Sequence, residues 1–235
     1  MRRCHYSGRE PVPVQTEVKQ AMPGKLKVGV LVSGGGTNLQ AIMDHAADGR
    51  LDAEVAVVIS NVETAYALER ARQAGVNAVF LDHRAYPDRA AFDRVVVEKL
   101  REHEIGLVAL AGYMRIFTDV FTDAFAGRIM NIHPSLIPAF CGKGMHGLHV
   151  HQAVLDYGAK VTGCTVHFVT REVDAGPIIL QRAAPVLDDD TAEILSERVL
   201  EQEHEAYSDA IQLFAEARLR IEGRRVRVLP PREPH

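Results

Sequence analysis

A short apolar run, Leu26-Lys27-Val28-Gly29-Val30-Leu31-Val32, ends in Ser33-Gly34-Gly35-Gly36 and gives way to a helical pattern; the same exchange recurs down the first half of the chain. An apolar run closed by glycine reads as a strand buried on both faces. Asn38 to Ala47 follows as a helix with Leu39, Ile42 and Met43 on one side. Val55 to Ser60 reads as a second strand, Ala65 to Ala74 as a helix stopped by Gly75, and Ala78 to Leu81 as a third strand. Ala90 to His103 sets Phe92, Val95, Val96 and Leu100 at helix spacing. Leu107 to Ala111 is a fourth strand, and a short helix around Val120 to Phe125 leads to a fifth at Ile129 to Ile132. This alternation specifies an α/β fold, a doubly wound and mostly parallel sheet with right-handed crossovers. Ligands in such sheets bind outside the carboxyl ends of the strands, which directs attention to Ser33 to Asn38, Ser60-Asn61, Gly112 to Phe117 and Asn131 to Pro138.

The second half breaks this rhythm. Gly142, Gly144, Gly147 and Gly158 interrupt it, with a helix expected at Val150 to Tyr157. Val161 to Thr170 alternates weakly as a strand and is expected to pair antiparallel with Pro177 to Pro185 across the Asp174-Ala175-Gly176 turn. Thr191 to Arg218 is a long amphipathic helix capped at Thr191, and Leu219 to Leu229 a small hairpin about Glu222-Gly223. One domain is therefore expected over residues 25–229. Met1 to Gly24, with three prolines and no apolar periodicity, is expected to be a mobile tail or an upstream start-codon extension. Residues 230–235 form a C-terminal tail.

Composition narrows the partners. Lys+Arg is 27 against Asp+Glu at 31, a net charge of -4, where a nucleic-acid-binding domain usually carries a basic excess. No stretch approaches the roughly 18 apolar residues of a membrane span. The three cysteines, Cys4, Cys141 and Cys164, are odd in number and widely spaced, which fits neither a disulfide framework nor a zinc knuckle. A reducing cytoplasm is the expected compartment.

Three places carry chemistry. Ser33-Gly34-Gly35-Gly36-Thr37-Asn38 joins a strand to a helix, where backbone N–H groups favour an anion and glycine lets it approach closely. No lysine follows the glycines and Leu39 occupies the third position of a dinucleotide fingerprint, so a lone phosphate is the better guest than a triphosphate; the alternative is an ordinary tight turn. Asn131 and His133 leave one face of an extended segment. An amide donor and an imidazole there can hold a carbonyl oxygen and protonate it as it becomes an oxyanion. Pro134 biases His133 toward extended geometry. Taken alone, His133 is equally a satisfied strand-end residue. Asp174, in a turn, is usually a backbone cap, and gains interest only if it reaches His133, where a carboxylate would favour the imidazolium. His149 and His151 have no Cys or carboxylate completing a zinc pattern, so no metal is expected. Cys141 and Cys164 are read as inert thiols.

In order and spacing, S-G-G-G-T-N-L, A-G-Y-M-R-I, N-I-H-P-S-L-I-P, V-D-A-G-P-I-I and E-Q-E-H resemble the tetrahydrofolate-dependent formyltransferase family, in its glycinamide ribonucleotide branch, over about Lys27 to Leu229. The resemblance implies a Rossmann-like formyltransferase fold. The implied reaction is formyl transfer from 10-formyltetrahydrofolate, as co-substrate, to the amine of glycinamide ribonucleotide in purine biosynthesis. The N-terminal half would hold the ribonucleotide, the C-terminal half the folate and the catalytic loop, in a monomer or homodimer. Gly36, Thr37 and Asn38 would bind the phosphate and Glu203 the ribose. Arg89, Met114, Arg115, Ile116, Phe117, Asn131, Thr170 and Val173 would line the folate site. Asn131, His133 and Asp174 would be catalytic, with His133 the general acid. Ala175-Gly176 replaces a more usual Gly-Gly, and Phe140 to Gly147 is longer than in some relatives. The alternatives are a formyltetrahydrofolate deformylase, which would leave the phosphate loop without purpose, and a non-catalytic nucleotide- or folate-binding module. A methionyl-tRNA formyltransferase would need a C-terminal tRNA-binding domain.

Overall fold

The computed structural model describes residues 24–231; the rest of both expected tails, Cys4 included, lies outside the described residues. Strands β1 (Leu26–Val32), β2 (Ala53–Ser60), β3 (Asn77–Phe80), β4 (Leu107–Leu110) and β5 (Ile129–His133) alternate with helices α1 (Thr37–Ala47), α2 (Tyr66–Gln73), α3 (Arg89–Glu102) and α4 (Asp119–Ala124). Then follow α5 (Leu148–Tyr157), β6 (Val161–Phe168), β7 (Ile178–Pro185), α6 (Ala192–Ala215), β8 (Leu219–Glu222) and β9 (Arg225–Val228). Every expected element forms, with ends moved by one to three residues. The long helix stops at Ala215, and Ala217 takes a left-handed turn (φ 53°) into the hairpin.

One nine-stranded sheet runs β3-β2-β1-β4-β5-β6-β7-β9-β8. Pairing is parallel from β3 to β5 and antiparallel from β5 through β7. The β8–β9 hairpin attaches to β7 through the single parallel pair Ile178–Arg225. One face is covered by α1, α2, α5 and α6, through Leu39, Ile42, Leu68, Val154, Leu195 and Ile211 among others. The other face is covered by α3 and α4, through Phe92, Val96, Leu100 and Phe121. β1, β2 and β4 are apolar on both pleats because both pleats are buried.

The chain reverses direction across the sheet between β1 and β4, so the loops leaving these strands diverge there. Hydrogen bonds hold that crevice to shape. The Ser33 amide donates to the Gly112 carbonyl (3.1 Å), and the Met114 amide donates to Ser33 Oγ (2.9 Å). From α6, the fully buried Tyr207 hydroxyl lies 3.0 Å from the carbonyls of both Leu110 and Met130, pinning the carboxyl end of β4 beside β5. At the next loop, buried Asp93 accepts from the amide and hydroxyl of Thr118 at the start of α4.

Candidate active site

At the carboxyl ends of β4 and β5 lies a cavity of about 580 Å³. It is lined from one side by Thr37, Asn38 and Glu203, from another by Gly112 to Phe117, and across its floor by Asn131, His133 and His167. The Thr170 to Asp174 loop closes the remaining side. Sequence-predicted residues from five separate segments thus meet in one place. Of the four regions the sheet rule singled out, Ser60-Asn61 does not line the cavity; Asn61 Oδ1 instead accepts from the Ser33 hydroxyl (2.6 Å).

α1 begins at Thr37 with Gly36 at its cap position (φ 73°) and no side chain capping it. A Cβ on Gly36 would stand 2.6 Å from the Ala67 Cβ, because α2 packs directly on the loop, its Ala67 amide donating to the Gly34 carbonyl (3.1 Å). Gly36 therefore shapes the loop, while Thr37 and Asn38 face the cavity. Asn38 Nδ2 donates to the Glu203 carboxylate (2.7 Å), and Asn38 Oδ1 is buried without a hydrogen-bond partner. Burial pushes the Glu203 carboxyl up to about 7, against the pull of that Asn38 bond. Cys164, buried in β6, has its thiol raised to about 12 by burial, which leaves it protonated and a poor nucleophile.

Arg89, expected at the folate site, does not line the cavity. It stands at the first residue of α3 and donates to the backbone carbonyls of Ile116 and Phe117 from behind. It thereby supports the loop whose Met114, Arg115, Ile116 and Phe117 do line the cavity. Met114 and Ile116 leave about half their surface exposed there.

The question the sequence left open was whether Asp174 reaches His133. Its carboxylate lies 3.7 Å from His133 Nδ1. The other carboxylate oxygen lies 3.9 Å from Nε2 of His167. Asp174 sits at a left-handed φ of 52° and accepts from the Gly142 amide (2.9 Å). A Cβ on Gly176 would overlap the Phe168 carbonyl, so the turn that aims Asp174 requires glycine at this position but leaves room for Ala175. His133 Nε2 lies 3.0 Å from the Phe140 carbonyl, a group that only accepts. The charged imidazolium alone offers an N–H both to that carbonyl and to Asp174.

Three further histidines, His146, His151 and His167, border the cavity. His167 sits on β6 directly across from Asn131 in the β5–β6 register, with Asn131 Nδ2 3.2 Å from its Nε2. No motif in the sequence marks His167 for a role. The signal available was the alternation Thr165, His167 on β6, facing His133 and Asn131 residue for residue. His151, on α5, is buried with its Nδ1 unpartnered, and its pKa is lowered by burial and then by His133. His149 and His151 belong to a helix, where residues two apart do not share a face. Among the described residues no group of three or more His, Cys, Asp or Glu is placed to hold a metal ion. Nor is any described helix long and apolar enough to cross a membrane.

Comparison with known proteins gives a consistent set of likenesses. A family model described as formyl transferase matches residues 26–211. The phosphoribosylglycinamide formyltransferase of Escherichia coli (strain K12) is 41% identical over 196 residues, covering 83% of this chain and 90% of that one. The trifunctional purine biosynthetic protein adenosine-3 of Bos taurus is 45% identical over 199 residues, which are 85% of this chain; the match spans only 19% of that relative's length. Among solved structures, glycinamide ribonucleotide transformylase 1 from Symbiobacterium toebii superimposes with a TM-score of 0.85 at 55% identity, covering 89% of this chain and 96% of that one.

Proposed function

The chain belongs to the formyl transferase family, and from that premise we propose that it transfers the formyl group of 10-formyltetrahydrofolate to the amine of glycinamide ribonucleotide. The single observation that carries this reading is the Asp174 carboxylate beside His133 in the same cavity as Asn131 and the Thr37-Asn38 loop. A hydrolase acting on the folate would need the first group alone. A nucleotide-binding module would need only the second.

In this reading Gly36, Thr37 and Asn38 hold the substrate phosphate at the start of α1. Glu203 meets the ribose. Met114, Arg115, Ile116 and Phe117 face the folate from one side, Thr170 and Val173 from the other, and Arg89 braces the first set from behind. The ribonucleotide amine attacks the formyl carbon. As the new C–N bond forms, the formyl oxygen becomes an oxyanion, stabilised by an Asn131 N–H and by the His133 N–H that otherwise meets the Phe140 carbonyl. The Asp174 carboxylate stands 3.7 Å from Nδ1 on the other side of that ring. The amine gives up a proton through water, the folate nitrogen takes one, and the bond between that nitrogen and the formyl carbon breaks. Holding both reactants at reacting distance supplies much of the rate. No step is routed through a metal or a covalent enzyme intermediate.

The same proposal treats residues 25–229 as one catalytic domain, monomeric or homodimeric, acting in the cytoplasm. Purified protein is mixed with 10-formyltetrahydrofolate, with and without glycinamide ribonucleotide, while folate absorbance is followed. Turnover only with the ribonucleotide present supports the transfer reading. Equal turnover without it makes the protein a deformylase, and binding of both ligands without turnover makes it a binding module.

A further inference from the structure

His167 is buried at the floor of the cavity, 2% exposed, and the proposed chemistry does not use it. Its Nδ1 lies 2.9 Å from the carbonyl of Phe168, its own neighbour in the chain. A carbonyl only accepts, so Nδ1 must carry a proton. On the opposite side of the ring, Nε2 faces the Asn131 amide nitrogen at 3.2 Å. An amide nitrogen only donates, so Nε2 must be bare. These two contacts together fix one neutral tautomer. They also assign the Asn131 side chain: its nitrogen, not its oxygen, points at the ring. One amide N–H is spent on His167 and the other remains to meet a developing oxyanion.

We propose that His167 is the positioning residue that sets which way the Asn131 amide faces, so that Asn131 presents an N–H and not its carbonyl oxygen to the reacting centre. The groups around the ring are few. Asn131 and His133 face it from β5, and Asp174 from the loop after β6, its carboxylate 3.9 Å from Nε2. A proton on Nε2 would turn the ring toward Asp174 as an ion pair. Nε2 would then donate, and Asn131 would have to flip its oxygen toward it. Burial, the largest influence on this ring, opposes that charged state. The register places His167 opposite Asn131 and Thr165 opposite His133. Thr165 Oγ1 in turn donates to the Ser135 carbonyl (2.6 Å) and accepts from the Ile137 amide (3.0 Å). Strand β6 thus braces Asn131 through His167 and the turn that follows His133 through Thr165.

Two measurements test the proposal. The first needs no activity: imidazole nitrogen NMR of the histidine-labelled wild-type protein, with His167 assigned by the signals lost in His167→Gln. The expected spectrum has a proton on Nδ1 and a bare Nε2. A proton on Nε2, or on both nitrogens at neutral pH, overturns the proposal. The second is kinetic and rests on the formyl-transfer reading. His167→Leu, which keeps neither contact, is expected to lower kcat by about 10²-fold with both KM values within about three-fold, the signature of a misaimed group and not of lost binding. His167→Gln, whose side-chain oxygen can stand where Nε2 stood, is expected to recover about ten-fold of that loss. His167→Asn, which restores only the Phe168 contact, is expected to recover little, and it replaces His167→Leu in the comparison should the latter fail to fold. Equal activity of the Gln and Asn variants overturns the proposal, as does a loss carried entirely by KM. If the wild type itself forms no formylated ribonucleotide, it is the functional reading that fails, while the nitrogen spectrum still decides the assignment of His167.

Discussion

The two halves of the sheet furnish the cavity by different means. The parallel half contributes loops: main-chain groups at the start of α1 and the backbone-braced Gly112 to Phe117 segment, with side chains at their margins. The antiparallel half contributes side chains standing on paired strands, Asn131 and His133 facing His167 and Thr165, together with Asp174 at the turn that follows. A site made of backbone tolerates changed side chains but not a Cβ where the chain is tight. A site made of side chains is indifferent to such crowding but fails when one donor is removed.

The largest effect is expected in the antiparallel half. His133→Ala and Asn131→Ala should each lose roughly 10²–10³-fold in turnover, as for other oxyanion donors, with the circular dichroism of the wild type. Near wild-type turnover in either would break the comparison. Glu203 comes next, because it ties α6 to the Asn38 side of the cavity. Its carboxyl is raised from an ordinary 4.5 to about 7, so the folded state holds this proton more tightly than the unfolded state does. The resulting stabilisation is complete below the ordinary value and is lost as pH rises through the raised one. It amounts to something on the order of 3 kcal/mol. Glu203→Gln should remove this slope between urea midpoints taken at about pH 5 and about pH 8; an unchanged slope would place its origin elsewhere.

Tyr207→Phe strips the shared donor from the Leu110 and Met130 carbonyls that both halves meet at. A loss of about 1–2 kcal/mol in urea unfolding is expected. The smallest effect sharpens the backbone side of the contrast. Gly35→Ala, with nothing within 4 Å of its added Cβ, should stay within about 0.5 kcal/mol of wild type. Gly36→Ala, left-handed and pressed against Ala67, should cost more than that and raise the KM for the ribonucleotide. Equal behaviour of the two alanines would mean that the loop does not bind through its backbone geometry.

Much of this was legible in the chain. Strands β1, β2 and β4 announced themselves because strands buried on both faces read as apolar runs, and α6 announced its start because Thr191 Oγ1 caps the Ile194 amide (3.3 Å). Arg89 shows the limit: a residue placed at the site by resemblance reaches it only through the carbonyls of its neighbours. His167 shows the converse, a residue central to the cavity whose importance depends on a strand pairing that no local pattern reveals. The attachment of the β8–β9 hairpin to β7 was equally out of reach, since one bridging pair leaves almost no mark on composition.

What the sequence determined by itself was the succession of elements, the glycine-rich turn into α1, and the shared face of Asn131 and His133. Each depends on backbone preferences and side-chain periods that act within a few residues. The tertiary structure alone decided the strand order, the register that sets His167 against Asn131, and the approach of Asp174 to His133. These depend on which distant segments close on one another, and that choice is made by the packing of whole faces on either side of the sheet.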